Sequence, residues 1–335
     1  MKKSNKIDVH HHIFPKEYLE ALRSVGVDKS LGVNLPKWTV ETSLKKMKEN
    51  GVKIAMLSIP TPGVYPEGAE LTPSFSKDLA RKTNEIVAGY KRNYPENFGG
   101  FATISLMDTQ AAIAELNYAL DTLKLDGVCL FTNYKGRYLG DPLFDPFFKE
   151  LNRHKAVVHI HPSDPGDEFA SGLGIPNALI EVTFDTTRAV ANMMYQGTLD
   201  RYPDIRYILS HGGGTIPYLA WRLASIEYGQ AGKRPPVMRA LYDLLIRGEP
   251  SKGLAHLKSM YYDTANVSGD YQVKALKSFA GTDHMIFGTD LCISKLAAII
   301  TKNLNQDGEF SEEEYNKISF GNGLKLFPSL GELYN

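Results

Sequence analysis

Three histidines stand in a row inside an apolar stretch near the start of the chain, Ile7-Asp8-Val9-His10-His11-His12-Ile13-Phe14-Pro15. In an extended strand alternate side chains share a face. His10 and His12 therefore point together, and Val9, His11 and Ile13 point the other way. Two imidazoles on one face make half of a transition-metal site. A histidine run beside a start methionine also reads as a solvated tail or a tag remnant. A tag is usually longer, however, and this run sits in an apolar strand that Phe14-Pro15 closes. The metal reading needs its other half elsewhere in the chain.

Further polar residues end later apolar runs. Val157-Val158-His159-Ile160-His161-Pro162 ends in His161, with His159 one layer deeper on the same face. Tyr207-Ile208-Leu209-Ser210-His211 ends in His211 and continues into Gly212-Gly213-Gly214. Met285-Ile286-Phe287-Gly288-Thr289-Asp290 ends in Asp290. Each has a plain structural explanation: a hydrogen-bonded histidine, or an aspartate capping the next helix. Four such ends converging on one mouth are harder to explain that way.

The elements that must position these residues follow an α/β alternation. Eight β-rich runs read Ile7–His12, Lys53–Ile59, Gly99–Ser105, Gly127–Thr132, Ala156–His161, Ile205–Ser210, Met260–Thr264 and His284–Thr289. Most are apolar throughout, as strands covered on both faces should be. Amphipathic segments separate them: Thr39–Asn50, Ser74–Asn93, Thr109–Leu123, Pro142–His154, Thr183–Tyr202, Thr215–Gly229 and Tyr271–Phe279, with Ser311–Phe320 as a last helix. The pattern predicts a (β/α)8 TIM barrel, one domain over residues 1–335, with active-site residues at the C-terminal strand ends. Long insertions follow the first, second and fifth strands at Pro15–Pro36, Pro60–Pro73 and Pro162–Ile180. Another, Tyr228–Pro250, is rich in Gly, Pro and basic residues and is a candidate to reach a neighbouring subunit.

Composition sets bounds. The 335 residues carry 38 Lys+Arg against 38 Asp+Glu, which favours neither nucleic acid nor an anionic membrane. No apolar segment is long enough to span a bilayer, and no signal region follows the basic start. The two cysteines, Cys129 and Cys292, form no CxxC pair, so a reducing cytoplasm is the expected compartment. No G-x-S-x-G, Walker A or G-x-G-x-x-G sequence is present, which removes support for an esterase nucleophile or nucleotide use.

The ordered motifs D-x-H-x-H, H-P, H-G-G-G and G-T-D resemble those of the amidohydrolase superfamily. They look most like its branch of metal-dependent decarboxylases typified by α-amino-β-carboxymuconate-ε-semialdehyde decarboxylase. The resemblance runs from Ile7 to Phe327. It implies one divalent ion, usually zinc and sometimes manganese, held by His10, His12, His161 and Asp290. It also implies that His211 is a non-ligand histidine beside the ion, so that Asp290 and His211 carry the catalytic proton work. His159 remains the alternative to His161. His11 is expected to face the helices.

The resemblance implies a homodimer and a small carboxylic acid substrate. Arg222, eleven residues after His211, falls where such enzymes carry a substrate-carboxylate arginine from the neighbouring subunit; a helix-surface ion pair is the alternative. A second such arginine has no counterpart, since Thr39–Asn50 offers only Lys45, Lys46 and Lys48. The stretches from Trp38 to Gly51 and Leu57 to Val64, and Asp126-Gly127-Val128 with Thr132-Asn133-Tyr134, look more like the 6-methylsalicylate decarboxylase subgroup. Phe14, Trp38, Tyr65 and Tyr134 are candidate walls for a flat ring, and Arg188 is a further candidate for an anion. The leading expectation is non-oxidative decarboxylation of a hydroxyaromatic or unsaturated acid. Hydrolysis of an amide, ester or lactone uses the same residues, and a non-catalytic metal-binding scaffold is the reading from outside catalysis.

Overall fold

The computed structural model describes residues 5–30, 33–66, 69, 71–163, 174–225, 251–267, 269–293, 297–306 and 309–334. The insertion 228–250 lies outside them. Eight parallel strands appear in the predicted order. They are β1 Lys6–His12, β2 Val52–Ser58, β3 Phe98–Thr103, β4 Gly127–Phe131, β5 Val157–His161, β6 Arg206–Leu209, β7 Tyr261–Asp263 and β8 Met285–Ile286. Each pairs with its sequence neighbour, from β1–β2 round to β7–β8. Backbone bonds from Val9 N to Phe287 O (3.0 Å) and Asp290 N to His10 O (2.9 Å) join β1 to the last segment. The barrel is thus nearly closed, and every β1 residue is buried.

Asp8 clips the same seam. Its Oδ1 accepts the backbone N–H of His10 (3.1 Å) and of Thr289 (3.0 Å). Its Oδ2 accepts the Thr289 hydroxyl at 2.6 Å and the His11 ring Nδ1 at 3.2 Å. His11 also meets Ser43 Oγ at 2.9 Å, on the helix Val40–Asn50, so it does face the helices. That helix forms where its residues dictate. Thr39 Oγ1 caps the Thr42 N–H, Met47 is buried, and Gly51 ends the helix in the left-handed region at φ 66°.

The register of β1 against β2 shifts twice, between Lys6 and Ile7 and between Asp8 and His11, and the second shift bears on the site. Asp8 pairs with Ala55 and His11 with Leu57, so three β1 residues span two of β2, a bulge. Val9 consequently packs in the inner cluster with Ile54 and Phe101 instead of sharing the side of His11. Bulges re-aim side chains, and this one turns Val9 inward while His10 and His12 keep the shared face of alternate residues.

The helices depart from the sequence reading at several places. Thr183–Tyr202 is two helices, Asn177–Tyr195 and Thr198–Arg201, separated at Gly197, which holds φ 72°. The insertion after β1 contains an unexpected helix, Lys16–Ser24, whose Tyr18, Leu19 and Leu22 are buried. Helices Ser251–Ser259 and Ala297–Gln306 also lie outside the expected set. Among the described residues no helix is long and apolar enough to cross a membrane.

Candidate metal and active site

Strands β1 and β5 and the turn after β8 bring His10, His12, His161 and Asp290 together, all buried, with one donor atom from each lying within 4.8 Å of the others. The imidazoles are oriented from behind. Nδ1 of His10 faces Asp263 Oδ2 at 2.7 Å, Nδ1 of His12 faces Ser58 Oγ at 3.0 Å, and Nδ1 of His161 faces the Pro162 carbonyl at 2.8 Å. With Nδ1–H donated outward, each ring presents its Nε2 lone pair inward, the arrangement that ligating histidines adopt.

Those lone pairs face one another. His10 Nε2 and His12 Nε2 are 2.9 Å apart. Asp290 Oδ1 approaches them at 3.4 and 3.2 Å, yet it is buried without a hydrogen bond. Converging lone pairs and an orphaned carboxylate oxygen repel unless a cation lies among them. Three nitrogens and one oxygen fit a single divalent transition-metal ion.

Without a metal, a proton serves as the local cation. Burial lowers the pKa of His10, but Asp263 and Asp290 outweigh it and raise the value to about 10. Burial and the His10 charge then help to depress His12 to about 4. Burial, with the neighbouring imidazoles, also holds His161 well below the ordinary histidine value.

His211 stands half-buried at the mouth, its ring 5.1 Å from that of His10. Its backbone holds φ 55°, with Gly212, Gly213 and Gly214 also positive. The glycines permit close approach. A Cβ at Gly214 would lie 2.0 Å from the Thr183 carbonyl, and one at Gly213 would lie 2.5 Å from the Tyr262 ring. Asn266 Nδ2 reaches both His211 Nδ1 (3.3 Å) and Asp290 Oδ2 (2.8 Å), bridging the two. Burial lowers the His211 pKa and favours the neutral ring.

His159 occupies the layer below. Its Nε2 meets Ser210 Oγ at 3.0 Å and Asp263 Oδ2 at 3.4 Å, and its ring stacks on Phe101. Together with His10 and Asp263 it forms a second close group. In that trio Asp263 Oδ2 already pairs with both imidazoles, so its charge is met without an ion.

The sequence reading overlooked Asp263, Ser58 and Asn266. A signal for Asp263 existed, since it is a charged residue ending the seventh apolar run, as Asp290 follows the eighth. Ser58 and Asn266 carry no comparable mark. Of the candidate substrate residues, Tyr134 lines a cavity, but its hydroxyl is already engaged, donating to the Ile104 carbonyl at 3.1 Å. Trp38 donates its indole N–H to Ser43 Oγ at 2.8 Å, packs edge-on to Tyr90, and does not line the cavity beside His161. Arg222 lies exposed on the helix Ile216–Ala224, and Arg188 pairs with Glu181 at 3.2 Å. The cavity beside His161 measures about 120 Å³ and is walled by Phe14, Val33, Leu35, Pro36 and Cys292. It suits a small flat apolar body with one polar end at the histidines.

Residues 7–329 match the amidohydrolase family model. The chain is 36% identical over 330 residues to a 6-methylsalicylic acid decarboxylase of Penicillium expansum, covering 97% of each protein. Its fold is similar to that of 5-carboxyvanillate decarboxylase from Sphingomonas paucimobilis, with a TM-score of 0.81, 21% identity and coverage of 97% and 99%. It is also similar to the 5-carboxyvanillate decarboxylase of Novosphingobium aromaticivorans complexed with manganese and 4-hydroxy-3-methoxy-5-nitrobenzoic acid. That match has a TM-score of 0.79, 20% identity and coverage of 96% of each chain.

Proposed function

The chain belongs to the amidohydrolase family, and on that premise we propose that it is a metal-dependent, non-oxidative decarboxylase of small hydroxyaromatic acids, built as a single barrel domain. The observation that carries this reading is the end-to-end similarity to a 6-methylsalicylic acid decarboxylase together with a complete, preoriented donor set.

His10, His12, His161 and Asp290 would hold the ion. Zinc suits the donors, with manganese as the alternative because a related structure is complexed with it. When bound, the ion supplies a Lewis acid for the substrate's carboxylate and neighbouring oxygen. The apolar wall formed by Phe14, Leu35 and Pro36 orients the ring and excludes water. Asp290 delivers a proton to the ring carbon bearing the carboxylate. Cleavage of that C–C bond returns its electron pair to the ring and releases carbon dioxide. His211, held beside Asp290 by the Asn266 amide that donates to both, takes up a proton from solvent and returns it to Asp290.

The proposal extends to a cytoplasmic homodimer. Tyr218 and Trp221, 90% and 53% exposed, share a helix with the exposed Arg222 and offer a surface for a second copy. Arg222 would then contact the partner's substrate.

The experiment is product analysis by metal-loaded protein on hydroxybenzoates and small lactones, measuring carbon dioxide against total acid. Carbon dioxide that disappears in Asp290→Asn supports the decarboxylase. Acid formed without carbon dioxide would replace it with the hydrolase.

A further inference from the structure

The cavity beside His161 adjoins a second one of about 150 Å³, and Ser30 and Thr61 line both. Its walls are largely apolar and ring-bearing, with Val64, Ile104, Phe131, Tyr65 and Tyr134. Phe131 stands edge-on to His161 with ring centroids 6.1 Å apart, so the metal-side cluster backs one wall of this outer chamber.

The polar groups on its inner side are engaged with each other. Asn133 Nδ2 donates to Ser163 Oγ at 2.8 Å and to Asp185 Oδ2 at 3.1 Å. Two cations at the rim differ. Lys29 and Lys135 both line the chamber and are exposed, and among the described residues neither ammonium has a carboxylate partner. The Lys135 ammonium lies 4.9 Å from the centre of the Tyr65 ring. Lys135 stands in a tight antiparallel turn, Asn133 to Tyr138, at φ 52°.

Ring-faced walls with two ammonium groups at the entrance are complementary to an aromatic carboxylate. We infer that the outer chamber is a capture site for aromatic carboxylates, from which the acid passes Ser30 and Thr61 to the histidines. The onward passage rests on the decarboxylase reading; the binding does not. Low-dielectric walls strengthen the field of the two lysines, and dissolved salt screens it.

The test titrates salicylate, followed by its own fluorescence, into the full-length metal-free protein at low and high salt. The expected result is binding that weakens several-fold in salt. It should fall about fivefold or more in Lys29→Met/Lys135→Met and recover in Lys29→Met/Lys135→Arg. Both lysines are exposed, so the substitutions do not threaten folding. In the metal-loaded enzyme kcat/KM should fall in the double variant and lose its salt dependence. Equal binding by wild type and double variant, or binding indifferent to salt, overturns the capture site. Salt-sensitive, lysine-dependent binding without carbon dioxide release from any acid would sink the decarboxylase reading and leave the capture site supported.

Discussion

Asp263 Oδ2 accepts the Nδ1 proton of His10 at 2.7 Å across the barrel interior. The other oxygen of Asp263 accepts the backbone N–H groups of His211 (2.8 Å) and Ala265 (3.0 Å). One buried carboxylate thus fixes a candidate metal ligand and the left-handed turn that presents the candidate proton carrier. Burial disfavours its charge, but the charge and hydrogen bond of His10, with the hydrogen bond from His159, hold its pKa far below the usual carboxylate range.

Asp263→Asn keeps the shape but weakens the acceptor that sets the His10 tautomer. We expect metal affinity to drop about 10- to 100-fold, as losses behind a ligating histidine do. Competition with a colorimetric chelator measures it. Unchanged affinity would remove Asp263 from a positioning role.

His161 and His159 separate by substitution. His161→Gln is expected to lose the bound ion, whereas His159→Gln should retain near-stoichiometric metal. His159 points its Nε2 at Ser210 and Asp263 rather than at the four-donor cluster. Metal analysis after gel filtration decides it, and the reverse pattern would exchange the two roles.

Metal affinity should rise with pH. The folded metal-free protein holds a proton on His10 up to about pH 10, and an ion must displace that proton to bind. For one displaced proton, affinity is expected to grow about tenfold per pH unit and level off above about pH 10. A flat profile between pH 6 and 8 would show that no such proton is displaced.

His211→Asn tests proton handling, because asparagine tolerates the left-handed backbone that His211 adopts at φ 55°. The expected outcome is a kcat about 10²- to 10⁴-fold lower, with metal content retained. Loss of metal along with activity would make His211 structural instead.

Asp8→Asn probes barrel closure. Asp8 accepts from two backbone groups, the Thr289 hydroxyl and His11, all at the seam between the first strand and the last segment. An amide cannot accept at both ends, so a buried donor loses its partner and stability should fall by about 2 kcal/mol. The urea midpoint reports it, and an unshifted midpoint would show that the clip contributes nothing.

Local pattern made much of this protein legible. All eight strands were readable because a strand covered on both faces needs an apolar run, whatever its neighbours are. His10, His12, His161, His211 and Asp290 were readable because polar residues ending such runs have one natural destination in a barrel. Tertiary structure decided the rest. His10 and Asp263 are 253 positions apart, and no spacing rule connects them. The bulge that turns Val9 inward depends on how β1 pairs with β2. Trp38 reads as a ring wall until Ser43, five residues on, takes its indole N–H. Two adjoining cavities, and the lysines that stand over one of them, arise from how loops of different strands pack. Hydrophobic periodicity acts within a segment, so the sequence determined which residues reach the barrel mouth. Hydrogen bonds and cavities form between distant segments, so only the folded chain determined which atoms face each other there.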